Sequence, residues 1–259
     1  MQYVPNNLSE SFEKIETKGG IYYKSKNISA KHFFTTRNTD LSTLPFDIIT
    51  AEKQIHSADV KYITDSNKNE KHFCDGFVIS KDSFTASGNS YGVAIRTADC
   101  VPILLFDRKN SVAAAVHAGW KGTIGQPLDA KRSDIPGIAA EAVRKMLIHG
   151  AEIQNINAAI GACIHKCCFE VKEDFISEVK NAVGSRANIF ISEQKCLDGK
   201  TSYYFDLAGL NSALLQECGI DISDIAVSPL CTCCDTKMFY SYRHEKQVVG
   251  TMYAAIKPF

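Results

Sequence analysis

The sequence predicts a mixed α/β protein of the α+β type, folded as one domain over residues 1–259 with a lead-in at residues 1–31. Two observations support this prediction. Short apolar runs rich in Val and Ile, bounded by turn residues, are typical of buried strands. Amphipathic segments of helical length alternate with such runs in the second half of the chain. The chain is long enough to bury a substantial core and contains no internal repeat or linker-like tract.

Three strands are predicted near the middle of the chain, where apolar runs are separated by polar breaks. Cys100 lies between the first two runs, and His117 lies at the end of the third. Strand ends hold side chains rigidly and leave them open to a cleft, so both residues are candidates for chemistry. The alternative is a packed position in the core, since free cysteine is among the most buried residue types. The runs are Gly92–Thr97, Val101–Phe106 and Ser111–Val116.

Further strands and three helices are predicted by the same criteria. Asp206 is a predicted helix N-cap, and Gly184 is predicted to end a helix. Residues 121–133 are predicted to form a loop, and the alternation in Tyr240–His244 is typical of an amphipathic strand. The other predicted strands are Gly20–Lys24, His32–Arg37, Val60–Thr64, Asp75–Ser80 (with a turn), Ile156–Ala162, Ile225–Pro229 and Val248–Ile256, and the helices are Ile135–His149, Glu173–Val183 and Asp206–Cys218.

The composition excludes several classes of partner. The 29 basic and 29 acidic residues balance, so no general attraction to nucleic acid or to a membrane surface is expected. No apolar run approaches the ~18 residues that a membrane helix needs. The first twenty residues lack the pattern of a secretory signal. We therefore expect a cytoplasmic protein whose ten cysteines are reduced. The oligomeric state is left open.

His56, Cys100 and His117 are the candidate metal ligands. Three nitrogen and sulfur ligands leave one tetrahedral position open, which is the arrangement of a catalytic rather than a structural zinc. The same sulfur could instead act as a free nucleophile, with His117 as its base, in a cysteine hydrolase. The residues alone leave both hypotheses open.

A second group of cysteines lies in two short segments. The spacing C-x-C-C in residues 231–234 differs from the paired C-x-x-C knuckles of a zinc ribbon, so structural or incidental thiols are favoured over a second metal site. The group comprises Cys163, Cys167, Cys168, Cys231, Cys233 and Cys234.

Arg37, Lys121 and Arg243 are the candidate ligands for an anionic substrate group. The guanidinium fork suits bidentate contact with phosphate, whereas lysine supplies a point charge. The alternative for each is a solvated surface cation.

Five segments together resemble one known family, the YfiH-like or laccase-domain family. Its members were once filed as multicopper polyphenol oxidases and are now described as purine nucleoside phosphorylases. The resemblance extends from about residue 32 to the C-terminus. The segments are Gln54–Val60 (Q-x-H), Arg96–Ile103 (T-A-D-C-x-P), Val116–Gly122 (H-A-G-W-[RK]-G), Ile160–Val171 (I-G-P-x-I and C-Y-E-V) and Phe239–Arg243 (F-[FY]-S-[YH]-R).

The resemblance implies a fold and a cofactor. The implied fold is a layered sandwich of mixed β-sheet with flanking helices, similar to cytotoxic-necrotizing-factor-type cysteine hydrolases. The implied cofactor is one zinc per chain, held by His56, Cys100 and His117. Copper is less favoured, because the sequence contains no H-x-H pair.

The resemblance also implies an activity on small molecules. The expected reactions are phosphorolysis of adenosine, inosine, guanosine and methylthioadenosine, with phosphate as co-substrate, and deamination of adenosine. Cys100, Asp99 and His117 are then the expected catalytic residues, with Asp99 as a proton carrier. Some bacterial members are instead assigned a role in editing peptidoglycan precursors, which corresponds to the cysteine-hydrolase alternative.

Overall fold

The computed structural model describes residues 11–84, 91–125, 137–195 and 201–258. These ranges contain two six-stranded sheets, a three-stranded sheet and five α-helices, which confirms the predicted α+β class. No helix in these ranges is long and apolar enough to cross a membrane. The strands are β1 (Phe12–Thr17), β2 (Gly20–Ser25), β3 (Lys31–Thr35), β4 (Ile48–Ile49), β5 (Val60–Tyr62), β6 (Gly76–Ser80), β7 (Gly92–Thr97), β8 (Val101–Asp107), β9 (Val112–Ala118), β10 (Ile156–Ile160), β11 (Glu170–Val171), β12 (Ile191–Lys195), β13 (Thr201–Phe205), β14 (Ile225–Val227) and β15 (Met252–Lys257). The helices are α1 (Trp120–Ile124), α2 (Ile138–Ile148), α3 (Glu173–Val183), α4 (Leu207–Glu217) and α5 (Tyr242–Glu245).

Both large sheets are mixed. The first has the order β1-β2-β3-β15-β7-β4, and β4 pairs with β7 in parallel. The second has the order β14-β10-β8-β9-β6-β5, with parallel pairs at its two edges. The third sheet, β11-β13-β12, is antiparallel. The hairpin of β1 and β2 places part of the predicted lead-in at the edge of the first sheet.

The second sheet is the middle layer of the protein, and β8 shows why. Its side chains alternate between two cores. Val101, Ile103 and Leu105 pack on the side of α2 and α4, whereas Leu104 and Phe106 pack against the first sheet. A strand that is buried on both faces has a continuous apolar sequence, which is the pattern that predicted it.

The structure corrects four sequence-based predictions. The strand predicted from Val248 begins only at Met252. Tyr240–His244 does not form a strand, because the side chain of Ser241 accepts a hydrogen bond from the His244 N–H at 3.2 Å and begins α5 there. The predicted loop at residues 121–133 begins inside a helix, α1. The helix predicted from Ile135 begins at Ile138, and its predicted first two residues lie outside the described ranges. Five strands were not predicted: β1, β4, β11, β12 and β13.

Candidate active site

Two of the three predicted metal ligands are brought together by one strand pairing. Cys100 immediately precedes β8, and His117 lies in β9, where it is paired with Pro102. The antiparallel register therefore places both side chains at the same end of the second sheet. His56 reaches this point from a connecting segment, with its backbone in the left-handed region at φ 58°. The ligand atoms of the three residues lie within 4.8 Å of one another.

A fully buried carboxylate, Asp75, holds this arrangement in place. Its Oδ1 accepts hydrogen bonds from the His56 N–H and is 2.9 Å from Nδ1 of His117. Its Oδ2 accepts from the Ser57 N–H at 2.7 Å and from the Ser57 hydroxyl at 2.8 Å. Asp75 thus fixes the ring of one histidine and the backbone of the other. The sequence predicts only a turn at Asp75, and no local pattern indicates its contacts with the two histidines.

The charges of Cys100 and His117 are coupled. Burial alone would raise the pKa of the Cys100 thiol, but the charge and hydrogen bond of His117 outweigh burial and lower that pKa to about 6. Burial alone would lower the pKa of His117. The Cys100 sulfur and the Asp75 carboxylate outweigh burial and raise that pKa to about 9. In the metal-free site each group therefore favours the charged form of the other, the thiolate of Cys100 and the imidazolium of His117.

These residues fit a zinc ion. Nδ1 of His117 is engaged by Asp75, so Nε2 is the nitrogen that remains for a metal, as in the carboxylate–histidine–zinc arrangement. Two imidazoles and one thiolate are a ligand set that zinc accepts, and three ligands leave a fourth position for substrate or water. Gly119 permits the close approach, because a Cβ there would lie 3.0 Å from Cδ2 of His56 and 3.5 Å from the Cys100 sulfur.

A cavity of about 680 Å³ opens above this site. Such a volume is typical of a pocket for a small molecule. Three cations contribute to its wall, and two of them, Arg96 and Lys53, were not predicted. A signal for Arg96 was present, since it is the one charged residue of the otherwise buried strand β7. The lining residues are Glu52, Lys53, Gln54, His56, Arg96, Thr97, Ala98, Asp99, Cys100, His117, Trp120, Ile164, Phe169, Leu207, Tyr242, Arg243, Val248 and Thr251.

Asp99 lines the cavity, and each oxygen of its carboxylate accepts one hydrogen bond. Oδ1 accepts a hydrogen bond from the Thr232 hydroxyl at 2.7 Å, and Oδ2 accepts from the Arg243 N–H at 2.7 Å. Its backbone has φ 91°, next to Cys100. Asp99 therefore joins the cysteine ligand to two later segments of the chain.

The three predicted anion ligands occupy different surroundings. Arg243 lines the cavity, where its guanidinium donates to the Cys168 carbonyl at 3.1 Å. Arg37 does not line it, because Glu245 pairs with its guanidinium at 3.3 Å and Tyr240 packs against it at 4.6 Å. Lys121 is exposed and lies outside the cavity wall, 5.6 Å from the Trp120 ring.

The fold and the site together define an α+β protein with a three-ligand metal-type site beneath a substrate-sized cavity. A family model described as multi-copper polyphenol oxidoreductase laccase matches residues 35–258. The chain belongs to this family, which is the family that the sequence motifs indicated.

Relatives with assigned activities cover most of the chain. It is 27% identical over 250 residues to purine nucleoside phosphorylase YlmD of Bacillus subtilis, across 95% of this chain and 82% of the relative. It is 29% identical over 259 residues to a purine nucleoside phosphorylase of Deinococcus radiodurans, across 90% and 91%. It is 33% identical over 151 residues to adenosine deaminase RL5 of an unknown prokaryotic organism, across 58% and 52%. These similarities support an enzyme that processes purine nucleosides.

A solved structure has the same fold. YlmD of Geobacillus stearothermophilus superposes with a TM-score of 0.75 at 23% identity, across 95% of this chain and 98% of the other. The YfiH protein of Bacillus licheniformis superposes with a TM-score of 0.74 at 23% identity, across 94% and 98%.

Proposed function

We propose that the protein is a cytoplasmic zinc-dependent purine nucleoside phosphorylase that also deaminates adenosine. The substrates proposed for phosphorolysis are adenosine, inosine, guanosine and methylthioadenosine, together with phosphate. The observation that carries the proposal is the convergence of His56, Cys100 and His117 beneath the cavity. When bound there, zinc supplies a Lewis acid that lowers the pKa of a bound water to about 7.

The cavity wall supplies both kinds of contact that a nucleoside and phosphate need. Phe169, Trp120 and Tyr242 offer aromatic surface for a purine. Arg96 and Arg243 offer guanidinium groups for phosphate. The guanidinium of Arg96 is held by the Ala51 carbonyl at 2.9 Å, so the cation is positioned before an anion arrives.

Asp99 is the proposed proton carrier of the deamination. Each of its oxygens accepts one hydrogen bond and keeps a second lone pair, so Asp99 can take up a proton without losing either donor. His117 stays oriented by Asp75 throughout and serves as a metal ligand rather than as a mobile base.

The test compares zinc-loaded wild-type protein with His56→Ala protein that is purified identically. Each is incubated with adenosine, with and without phosphate, and the products are separated by chromatography. Wild-type protein should yield adenine only with phosphate and inosine in both conditions, and the variant should yield neither. The variant controls for contaminating host enzymes. Absence of adenine, inosine and hypoxanthine under all conditions would refute the proposal.

A second candidate function is a Cys100-dependent amide hydrolase that acts on cell-wall precursors. The specific observation in its favour is that Cys100, His117 and Asp75 are connected in the order of a nucleophile, base and orienting carboxylate. Alkylation separates the two proposals. A zinc that protects Cys100 from iodoacetamide favours the phosphorylase, whereas a metal-free protein with a rapidly alkylated Cys100 favours the hydrolase.

Copper chemistry is the remaining alternative, and the name of the family model motivates it. The discriminating assay is oxidation of a phenol by copper-loaded protein, compared with the zinc-loaded form. Oxidation that disappears in His56→Ala protein would favour an oxidase.

A further inference from the structure

Four cysteines outside the proposed active site form a second cluster. Cys167, Cys168, Cys231 and Cys234 place their sulfur atoms within 4.8 Å of one another. We call them the four-cysteine cluster. The spacing C-x-C-C in residues 231–234 predicts structural or incidental thiols here. In the structure, Cys231 and Cys234, which are spaced C-x-x-C, belong to the cluster, and Cys233 does not.

The cluster joins two turns that are distant in sequence. One turn covers residues 166–168 and the other covers residues 232–234. An isolated β-bridge between Cys163 and Cys231 aligns the segments that lead into them. Two hydrogen bonds support this alignment. The Thr232 N–H donates to the Cys163 carbonyl at 3.0 Å, and the His165 N–H donates to the side-chain sulfur of Cys231 at 3.4 Å.

The sulfur separations match a tetrahedral thiolate site. A zinc–sulfur bond of about 2.3 Å places ligand sulfurs about 3.8 Å apart in a regular tetrahedron. The Cys167 and Cys234 sulfurs are 3.6 Å apart, and those of Cys168 and Cys234 are 3.3 Å apart. A disulfide would need about 2.05 Å between one such pair and would leave the other two thiols without a function.

We propose that Cys167, Cys168, Cys231 and Cys234 bind a second zinc ion, which is structural because four protein ligands complete its coordination. The site is independent of the three ligands beneath the cavity. Neither the resemblance stated from the sequence nor the proposed reaction requires it.

This zinc site positions part of the cavity wall. Thr232, between two of the ligands, donates to Asp99 at 2.7 Å. The carbonyl of Cys168 accepts from the Arg243 guanidinium at 3.1 Å. Phe169 follows the first pair of ligands and packs 5.5 Å from Arg243. A metal that fixes both turns therefore fixes the residues that flank Cys100, without contacting substrate itself.

The first test is the zinc content of the full chain, purified under reducing, anaerobic conditions and loaded with zinc. Wild-type protein should retain two zinc ions per chain. Cys168→Ser and Cys234→Ser should each retain one. Cys233→Ser, in the same turn but outside the ligand set, should retain two. A zinc content of Cys168→Ser and Cys234→Ser equal to that of the wild type, or loss of a zinc from Cys233→Ser, would overturn the assignment.

A second measurement does not depend on whether the cysteine variants fold. His117→Ala removes a ligand of the other site, so the zinc that remains can be examined alone by X-ray absorption. Four sulfur neighbours at about 2.3 Å are expected. A mixed nitrogen and sulfur shell, a disulfide within the cluster, or visible absorption from bound iron would each overturn the proposal.

Discussion

The two thiol-containing sites of this protein are built in opposite ways. The first, which we call the three-ligand site, consists of His56, Cys100 and His117; two of its ligands lie at strand ends, and all three lie beneath a cavity. The four-cysteine cluster lies on turns, and Cys167 and Cys234 are exposed. A buried carboxylate orients the ligands of the three-ligand site, whereas backbone N–H groups support the sulfurs of the cluster.

This difference corresponds to two uses of the cysteine side chain. An incomplete ligand set on a rigid sheet leaves a position where a reactant can bind, and rigidity keeps the reacting atoms aligned. A complete set on turns has no free position, so its contribution is to join segments that would otherwise move apart. Variants of these residues therefore test whether the three-ligand site determines activity and the four-cysteine cluster determines stability.

The largest effect is expected from Cys100→Ser. A neutral hydroxyl replaces the thiolate ligand, and the loss of several kcal/mol of charge stabilisation corresponds to about a thousandfold loss of kcat/KM for adenosine phosphorolysis. The melting temperature should change little, because Cys100 is not part of a core cluster. Steady-state kinetics and thermal unfolding measure the two quantities. Cys218→Ser, a free thiol outside both sites, is the matched control. Equal activity of the two variants would contradict the comparison.

Asp75→Asn should affect both metal binding and folding. The amide cannot accept all of the hydrogen bonds that the carboxylate accepts, so the ligand orientation and buried N–H groups are disturbed together. We expect zinc affinity at the three-ligand site to fall about 10–100-fold. We expect a loss of about 1–3 kcal/mol in the free energy of unfolding. Competition with a chromogenic chelator and urea unfolding measure these changes.

The control for Asp75→Asn is Asp59→Asn, whose carboxylate pairs with the exposed Lys61. This substitution should leave both quantities nearly unchanged, because exposed ion pairs contribute little. Unaltered zinc affinity in Asp75→Asn would show that the carboxylate is not the positioning group.

Thr232→Val tests the connection between the two sites. The substitution keeps the shape of the side chain and removes the hydroxyl that donates to Asp99. A lost hydrogen bond of about 1 kcal/mol predicts a fall of about fivefold in kcat, with both zinc ions retained. Thr236→Val, in the same part of the chain, is the control. Loss of zinc from the four-cysteine cluster in Thr232→Val would mean that the effect is structural rather than transmitted through Asp99.

The smallest effect is expected from Lys121→Ala. Lys121 is exposed and lies outside the cavity, so the KM for phosphate should change less than about twofold. Arg243→Gln, which alters a cation in the cavity wall, should raise that KM by about tenfold or more. A larger rise of the phosphate KM in Lys121→Ala than in Arg243→Gln would support Lys121 as the anion ligand that the sequence predicts.

Local sequence patterns predicted the strands and helices well where the burial pattern along the segment is regular. The bounds of β7 and α3 agree with prediction, because a continuous apolar run and a strong amphipathic repeat each permit one arrangement. The strand prediction for Tyr240–His244 was wrong because the side chain of Ser241 caps a helix there, and this cap outweighs a weak alternating pattern in the sequence. β4 and β12 are edge strands; β4 is only two residues long, and β12 is polar after its first residue, so neither shows a strand pattern in the sequence.

The site could be predicted in part. The motif resemblance indicated the three ligands, and the strand register explains why Cys100 and His117 meet. The position of His56 depends on hydrogen bonds to Asp75, and no local pattern reports such a long-range contact. Arg37 was selected for its charge, but its pairing with Glu245, more than two hundred residues later, is equally invisible in the sequence. The extent of the predicted domain remains a prediction.

One consequence follows from the hairpin of β8 and β9. Its connecting turn, Arg108–Ser111, lies at the far end of the strands from Cys100 and His117, roughly 20 Å away. Residues Arg108 and Lys109 are exposed there. The loop therefore offers an attachment point for a fluorescent label or a surface anchor, and an enzyme immobilised through it would keep its entrance facing the solution.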